Sequence, residues 1–302
     1  MKKRQTKKSK LPYVQPPILF LARDIQSEME RILVKFNIQK IRLFDLPAYK
    51  RIFLFILTRA CKTFDAIIIL CKNGFGQDAA ILLRGLFESY VTAKYIVSHP
   101  QPVANQLAAR FVDYKWIILK KHLYETGKKN QRSTAPEDEE YRKQVLERVD
   151  DFKKKYGIMS DRGLLSWSGK TLRDMAGKIG PELLNEYETI FRICSRFSHP
   201  GILGDNEYLV TDQKHLIFSP LPSQIGVRDN LLHASYLMVG LLRLTDILFG
   251  FKDEKSINAI ESKVINFRSQ KSSVTHPAKS KSSPNSVSIR DSIIQFEITE
   301  LL

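Results

Sequence analysis

No apolar run in this chain approaches the roughly 20 residues needed to cross a bilayer. The two best stretches, Ile52 to Cys71 and Leu231 to Phe251, are interrupted by Arg59, Lys62 and Asp65, and by His233, Arg243 and Asp246. Both read as buried core helices, and no transmembrane segment is expected. Cysteine is scarce: Cys61, Cys71 and Cys194 are odd in number, lie in apolar helical stretches and lack metal-ligand spacing, which suits reduced core thiols in a cytoplasmic protein. His122, His215 and His276 sit in polar surroundings with no carboxylate-histidine cluster of the kind that holds zinc or iron. No cofactor and no metal is therefore expected. There is no glycine-rich phosphate loop, no alternation of strands with helices and no internal repeat. Gly163-Leu164-Leu165-Ser166-Trp167 lacks the glycine after the serine that a serine-hydrolase elbow requires. The basic N-terminus is followed by Leu11-Pro12-Tyr13-Val14-Gln15-Pro16-Pro17 and not by the apolar core of a secretory signal, so export is not expected.

What the chain has in excess is positive charge. Its 302 residues carry a formal +16, and 43% of them are apolar, enough for a sizeable core. Six cations, Lys2, Lys3, Arg4, Lys7, Lys8 and Lys10, fall in the first ten residues. That segment is too short and polar to fold alone and reads as a solvated arm. Such an arm holds RNA, DNA or anionic lipid through phosphate contacts, or serves only as a solubilising tail. The surplus elsewhere in the chain favours RNA or another polyanion as partner.

Periodicity and punctuation predict a mostly all-α protein, a multi-helix bundle. A first helix over Ile25 to Ile38 stops before Asp45-Leu46-Pro47, and a long one runs from about Pro47 to Lys72. Asn73-Gly74-Phe75-Gly76 breaks it, and a further helix to about Ser98 completes an antiparallel hairpin. Further helices are expected over Val103 to Glu125 and Asp138 to Tyr156, with a polar loop between them. A short amphipathic helix follows Ser166-Trp167-Ser168-Gly169-Lys170. Gly180-Pro181 starts the helix that carries Ser195 and His199, and Pro200-Gly201 ends it. Alternation near 207–218 suits a small β-hairpin. Val227 to Phe251 is apolar nearly all round, which places it centrally. The expected organisation is a basic arm over 1–20, a helical domain over 21–251, and a linker with a C-terminal extension over 252–302.

Function is sought where polar groups interrupt apolar helices, because such groups are costly to bury and persist when paired or used. Arg84 and Glu88 are four apart on one helix and can pair at a helix-helix interface. They read either as an ion pair fixing register, or with Glu88 orienting a group on a facing helix. Arg192, Ser195 and His199 fall at i, i+3 and i+7 and project from one side of their helix. A histidine at a helix C-terminus favours the imidazolium. With an arginine reaching towards it, it can move protons at a phosphodiester while the arginine stabilises the phosphorane. Capping of the terminal carbonyls accounts for the same histidine without chemistry. Asp65, His233, Arg243 and Asp246 are explained by buried pairing, the last two by an i, i+3 contact.

Several segments resemble a known family: Phe64-Asp65-Ala66-Ile67-Ile68-Ile69-Leu70, Asp78 to Glu88, Trp167-Ser168-Gly169-Lys170, and Tyr187 followed by Ser195-Arg196-Phe197-Ser198-His199-Pro200. They look like the prokaryotic all-α domain-of-unknown-function family 5677, over about Arg59 to Phe251. A more distant similarity is to the HEPN superfamily of small helical domains, which includes metal-independent endoribonucleases of toxin and antiviral systems. It rests on Arg192 and His199. That similarity implies Arg192 as the phosphate-stabilising group and His199 as the acid-base group, completed across a homodimer interface. The resulting expectation is an RNA-cleaving or RNA-binding protein of stress or phage defence. His199, Arg192, Ser195, Glu88 and Arg84 would form one polar pocket, and Arg196 and the arm would contact nucleic acid. The alternative is a non-catalytic helical scaffold or interaction module, bound to a further protein, whose ion pairs are structural.

Overall fold

The computed structural model describes residues 17–39, 42–129, 136–159, 166–197, 209–212, 215–218, 222 and 225–270. The chain divides into Met1–Arg268 and Ser269–Leu302, and only Ser269 and Gln270 of the second unit are among the described residues. The described residues of the first unit form an all-α bundle apart from 209–212 and 215–218.

Its centre is three helices. Helix α2 (Ala48–Lys72) and α3 (Gly76–Val97) form an antiparallel pair, and the later helix Val227–Phe249 lies across both. The turn between α2 and α3 is made by Asn73, Gly74 and Phe75: Gly74 adopts φ +81°, and Phe75 N–H returns to Leu70 O at 2.9 Å. Gly76 opens α3 where the chain passes closest to another segment. A Cβ there would lie 2.1 Å from the carbonyl oxygen of Ile225, so only glycine fits. Each face of α3 is used, which is why its buried residues run almost continuously from Ser89 to Ala93.

Helix α1 (Ile18–Ile38) starts earlier than its periodicity suggests. Ile18 and Leu19 are each 2% exposed, so Ile18, Leu19, Leu21 and Ala22 belong to the core while Phe20 is exposed, and residues 18–20 of the expected arm are helical. Lys2, Lys3, Arg4, Lys7, Lys8 and Lys10 lie outside the described residues. The helix expected over Val103 to Glu125 is two helices, α4 (Gln101–Asp113) and α5 (Lys115–Lys129), broken at Tyr114. The break redirects the chain onto α6 (Pro136–Lys155). There Ile117, Val149 and Phe152 bury a small satellite core, each apolar side chain contributing about 1.5–3 kcal/mol. Asp113 ties the end of that core, accepting from Lys155 Nζ and Tyr156 Oη, both at 2.8 Å.

Helix α7 (Leu172–Ile179) begins with a capping box: Asp174 N–H donates to Thr171 Oγ1 at 3.1 Å, and Thr171 N–H to Asp174 Oδ2 at 3.2 Å. Helix α8 (Pro181–Glu186) passes through a π turn (Tyr187–Phe191) into α9 (Arg192–Phe197). Helix α10 (Val227–Phe249) is bounded by Gly226 and Gly250, at φ +72° and +67°. Contrary to the expectation from its interrupted apolar run, it is long enough and apolar enough by length and composition to cross a membrane, and its Leu231, Leu237, Met238 and Leu241 are buried in the bundle.

The core does not stop at residue 251. Helix α11 (Glu254–Ser269) buries Ile257, Ile260 and Val264, so the first part of the expected linker is a further packed helix. Polar side chains fasten α11 to α1: Arg31 Nη1 meets Asp253 at 2.7 Å, Ser256 Oγ donates to Glu28 at 2.8 Å, and Lys35 also binds Asp253. Arg243 and Asp246 do not pair with each other. Arg243 reaches Asn258 and Glu261 on α11, and Asp246 accepts the Asp253 N–H at 2.9 Å, because α11 covers that face of α10.

Candidate functional site

A cleft of about 470 Å³ opens between α2, α3, Phe111 and Tyr114 at the α4–α5 break, the turn before α7, and the π turn. Helix α2 contributes Phe55, Ile56 and Arg59, and α3 contributes Gly85, Glu88, Ser89 and Thr92, two adjoining stripes at helical spacing. The turn Ser166–Thr171 supplies Ser166, Trp167, Lys170 and Thr171, and Phe191 closes one end.

That turn is tightly specified. Ser166 Oγ donates to Lys170 O at 2.7 Å, Lys170 N–H donates to Ser168 Oγ at 3.2 Å, and Gly169 takes φ +70°. Trp167 is set edge-on to Phe111, with centroids 5.3 Å apart, and to Tyr95 at 6.2 Å. Although Trp167 is only 8% exposed, its indole N–H has no hydrogen-bond partner among the described residues and faces the cleft. The hydroxyl of Thr92, also 8% exposed, is likewise unpartnered on the opposite wall. Arg59 and Lys170 face the same space with no carboxylate partner among the described residues. Lys178 beside it holds the Lys170 ammonium below the usual lysine range, since two neighbouring like charges disfavour one another. The cleft thus offers aromatic faces, free cations and two unpaired polar groups, the inventory that receives a planar, anionic ligand.

Of the residues singled out from sequence, Glu88 lines this cleft and Arg84 stands beside it. Their pair, Arg84 Nε to Glu88 Oε1 at 3.4 Å, is not buried at a helix-helix interface: the side chains are 30% and 45% exposed. Arg84 instead lies over the Phe191 ring, 4.8 Å from its centroid. Arg192 is exposed and held by Glu188 at 2.8 Å, and Glu188 also accepts from Arg173 at 2.9 Å. These two arginines keep the Glu188 carboxyl below its ordinary range. Ser195 Oγ donates back to Phe191 O at 2.6 Å. Neither Arg192 nor Ser195 is among the cleft's lining residues. His199 and the side chain of Arg196 lie outside the described residues.

The residues that sequence reasoning passed over are Phe55, Arg59, Thr92, Phe111, Trp167 and Lys170. Two signals were present: Arg59 as a charge on an apolar helix, and Trp167-Ser168-Gly169-Lys170 as a segment of the family resemblance. Among the described residues no cluster of His, Cys, Asp and Glu could hold a metal ion.

No curated protein and no solved structure matches the chain. The model of a family of unknown function, DUF5677, matches residues 50–216. That span is more than half of the sequence and contains every lining residue of the cleft from Phe55 to Phe191. The chain belongs to this family of unknown function.

Proposed function

We propose that this chain is a cytoplasmic RNA-binding protein of HEPN-like type, which takes an unpaired stretch of RNA into the cleft between α2, α3 and the Trp167 turn. The observation that carries the reading is the coincidence of free cations, Arg59 and Lys170, with aromatic faces and with unpartnered Trp167 and Thr92 donors in one open cleft. Arginine and lysine neutralise phosphates, whereas aromatic side chains stack on unpaired bases with little sequence preference. The aromatic walls favour RNA over a simple anion, and the surplus of +16 favours it over a neutral ligand.

Cleavage is the further step of the same reading. Arg192 would stabilise the phosphorane, and His199 would move protons as the 2′-hydroxyl attacks the phosphorus and the 5′-oxygen leaves, in a homodimer and in stress or phage defence. The basic arm adds phosphate contacts. Residues 207–218 form a β-hairpin in this reading. The antiparallel pairing of Leu209–Asp212 with His215–Phe218, Leu209 opposite Phe218, supports it.

The test is titration of a mixed-sequence single-stranded 12-mer RNA in EDTA, on a Trp116→Phe background so that Trp167 is the fluorescent reporter. Quenching of Trp167, a binding constant that falls with salt, and a salt slope reduced by about one in Arg59→Ala are expected. Cyclic-phosphate product ends that disappear in His199→Ala would establish cleavage. A folded protein that leaves Trp167 unquenched and binds RNA no better than neutral dextran would sink the reading and leave a scaffold.

A further inference from the structure

A second cavity, of about 330 Å³, lies on the other side of the π turn: Thr189 and Ile190 line it, whereas Phe191 lines the cleft. Its polar groups are Gln77 from the first turn of α3, Thr189 from the π turn, the Cys194 thiol from α9, and Asp229, Asn230 and His233 from α10, and the rest of its wall is mostly aliphatic. Gln77 is only 8% exposed, yet its carboxamide has no hydrogen-bond partner among the described residues, so its polar atoms face the cavity. A carboxamide without a protein partner on a cavity wall is available to whatever fills that cavity. Asn230 is fixed by the bond from its amide N–H to Gly76 O at 2.6 Å, which leaves its carbonyl oxygen on the cavity side. Burial keeps the His233 imidazole neutral, so it adds no positive charge.

A carboxamide presents a donor and an acceptor side by side in one plane, the arrangement that pairs with the adjacent amino group and ring nitrogen of adenine. At the rim Asp229 is 66% exposed and meets Arg228 at 3.4 Å. A carboxylate there accepts from sugar hydroxyls and repels a phosphate. We infer that this cavity is a binding site for an adenine-type base or its nucleoside, with the base edge on Gln77 and Asn230 and the sugar at Asp229. The site is separate from the cleft and independent of the RNA reading.

The test is calorimetric titration of adenosine and of AMP into the full-length protein at pH 7.5, as wild type, Gln77→Leu, Asp229→Ala and Arg59→Ala. Adenosine should saturate one site, weaken about tenfold in Gln77→Leu, and bind severalfold more tightly than AMP. That preference should vanish in Asp229→Ala, while Arg59→Ala leaves adenosine binding unchanged. Circular dichroism checks folding. Should Gln77→Leu fail to fold, the surface variant Asp229→Ala still decides through the adenosine-to-AMP ratio. Absence of saturable adenosine binding overturns the inference, as does binding that both cavity variants leave unaltered. Loss of binding in Arg59→Ala also overturns it, by moving adenosine into the cleft.

Discussion

The guanidinium of Arg84 lies 4.8 Å from the centroid of the Phe191 ring, while its Nε stands 3.4 Å from Glu88. The first contact crosses from α3 to the π turn, and the second stays within α3. Only the crossing contact can hold the end wall of the cleft in place. An exposed i, i+4 ion pair contributes about 0.3–0.5 kcal/mol, whereas a cation over an aromatic face contributes about 0.5–1 kcal/mol. A double-mutant cycle of Arg84→Ala with Phe191→Leu should therefore give the larger coupling, and one with Glu88→Ala the smaller, both read from urea midpoints. The reverse order would mean that Arg84 serves register within α3 and not the wall.

Gly240 is where α10 receives the Tyr90 ring of α3. A Cβ at that position would sit 2.6–2.7 Å from three atoms of the Tyr90 ring and hydroxyl, and Tyr90 is itself buried, with its hydroxyl pushed up to about 12 by that burial. Gly240→Ala should gain about 0.8–1 kcal/mol from helix propensity and lose about 1–3 kcal/mol from overpacking. Net destabilisation is expected. The double variant Gly240→Ala with Tyr90→Leu should recover part of it. A Gly240→Ala protein as stable as the wild type would show that α3 and α10 slide apart freely.

The contrast between what sequence did and did not disclose follows from how local each feature is. Helices α2 and α3 were legible because their apolar spacing and the two glycines of Asn73-Gly74-Phe75-Gly76 act within a few residues. The break at Tyr114 was not, since nothing punctuates Phe111-Val112-Asp113-Tyr114-Lys115; the satellite core with Val149 and Phe152 redirects the chain. Glu88 was picked out as a charge on an apolar helix, and it does line the cleft. Arg59 carried the same signal, but was read only as an interruption of an apolar run. Trp167 escaped because its importance lies in what its indole N–H lacks, and an absent partner is visible only in three dimensions. Likewise, Arg192 looked free in sequence until Glu188, four residues earlier on the π turn, was seen to hold it.

All three cysteines are buried, and burial pushes each thiol up to about 12. The thiolate is the reactive form, so at pH 8 almost none is present, and no cysteine is more than 8% exposed, although Cys194 lines the second cavity. Ellman's reagent should therefore modify none of the three in the native protein within an hour and all three in urea. Rapid stoichiometric labelling of a single thiol under native conditions would show that one of them is transiently exposed, and variants at Cys61, Cys71 and Cys194 in turn would identify it.

His233 gives the bundle a pH dependence of known sign. Burial lowers its pKa, and although Glu186 and Asp229 oppose that shift, Arg268 adds to it. Its Nδ1 stands 3.6 Å from Glu186 Oε2, and neither atom has a hydrogen-bond partner among the described residues. Above the ordinary histidine value of about 6.5 the imidazole is neutral in folded and unfolded chains alike, and it contributes no slope. As pH falls below that value the unfolded chain binds a proton that the folded chain refuses, so stability declines, by at most about 1.4 kcal/mol per pH unit. The carboxylates of Asp113 and Asp253 are held low by their lysine and arginine partners against the opposing effect of burial, so their losses belong near pH 4 and below. Urea midpoints at pH 7.5, 6.5 and 5.5 should fall for the wild type and stay nearly level for His233→Gln. Equal declines in the two proteins would assign the acid sensitivity elsewhere and show that His233 takes up its proton without leaving the fold.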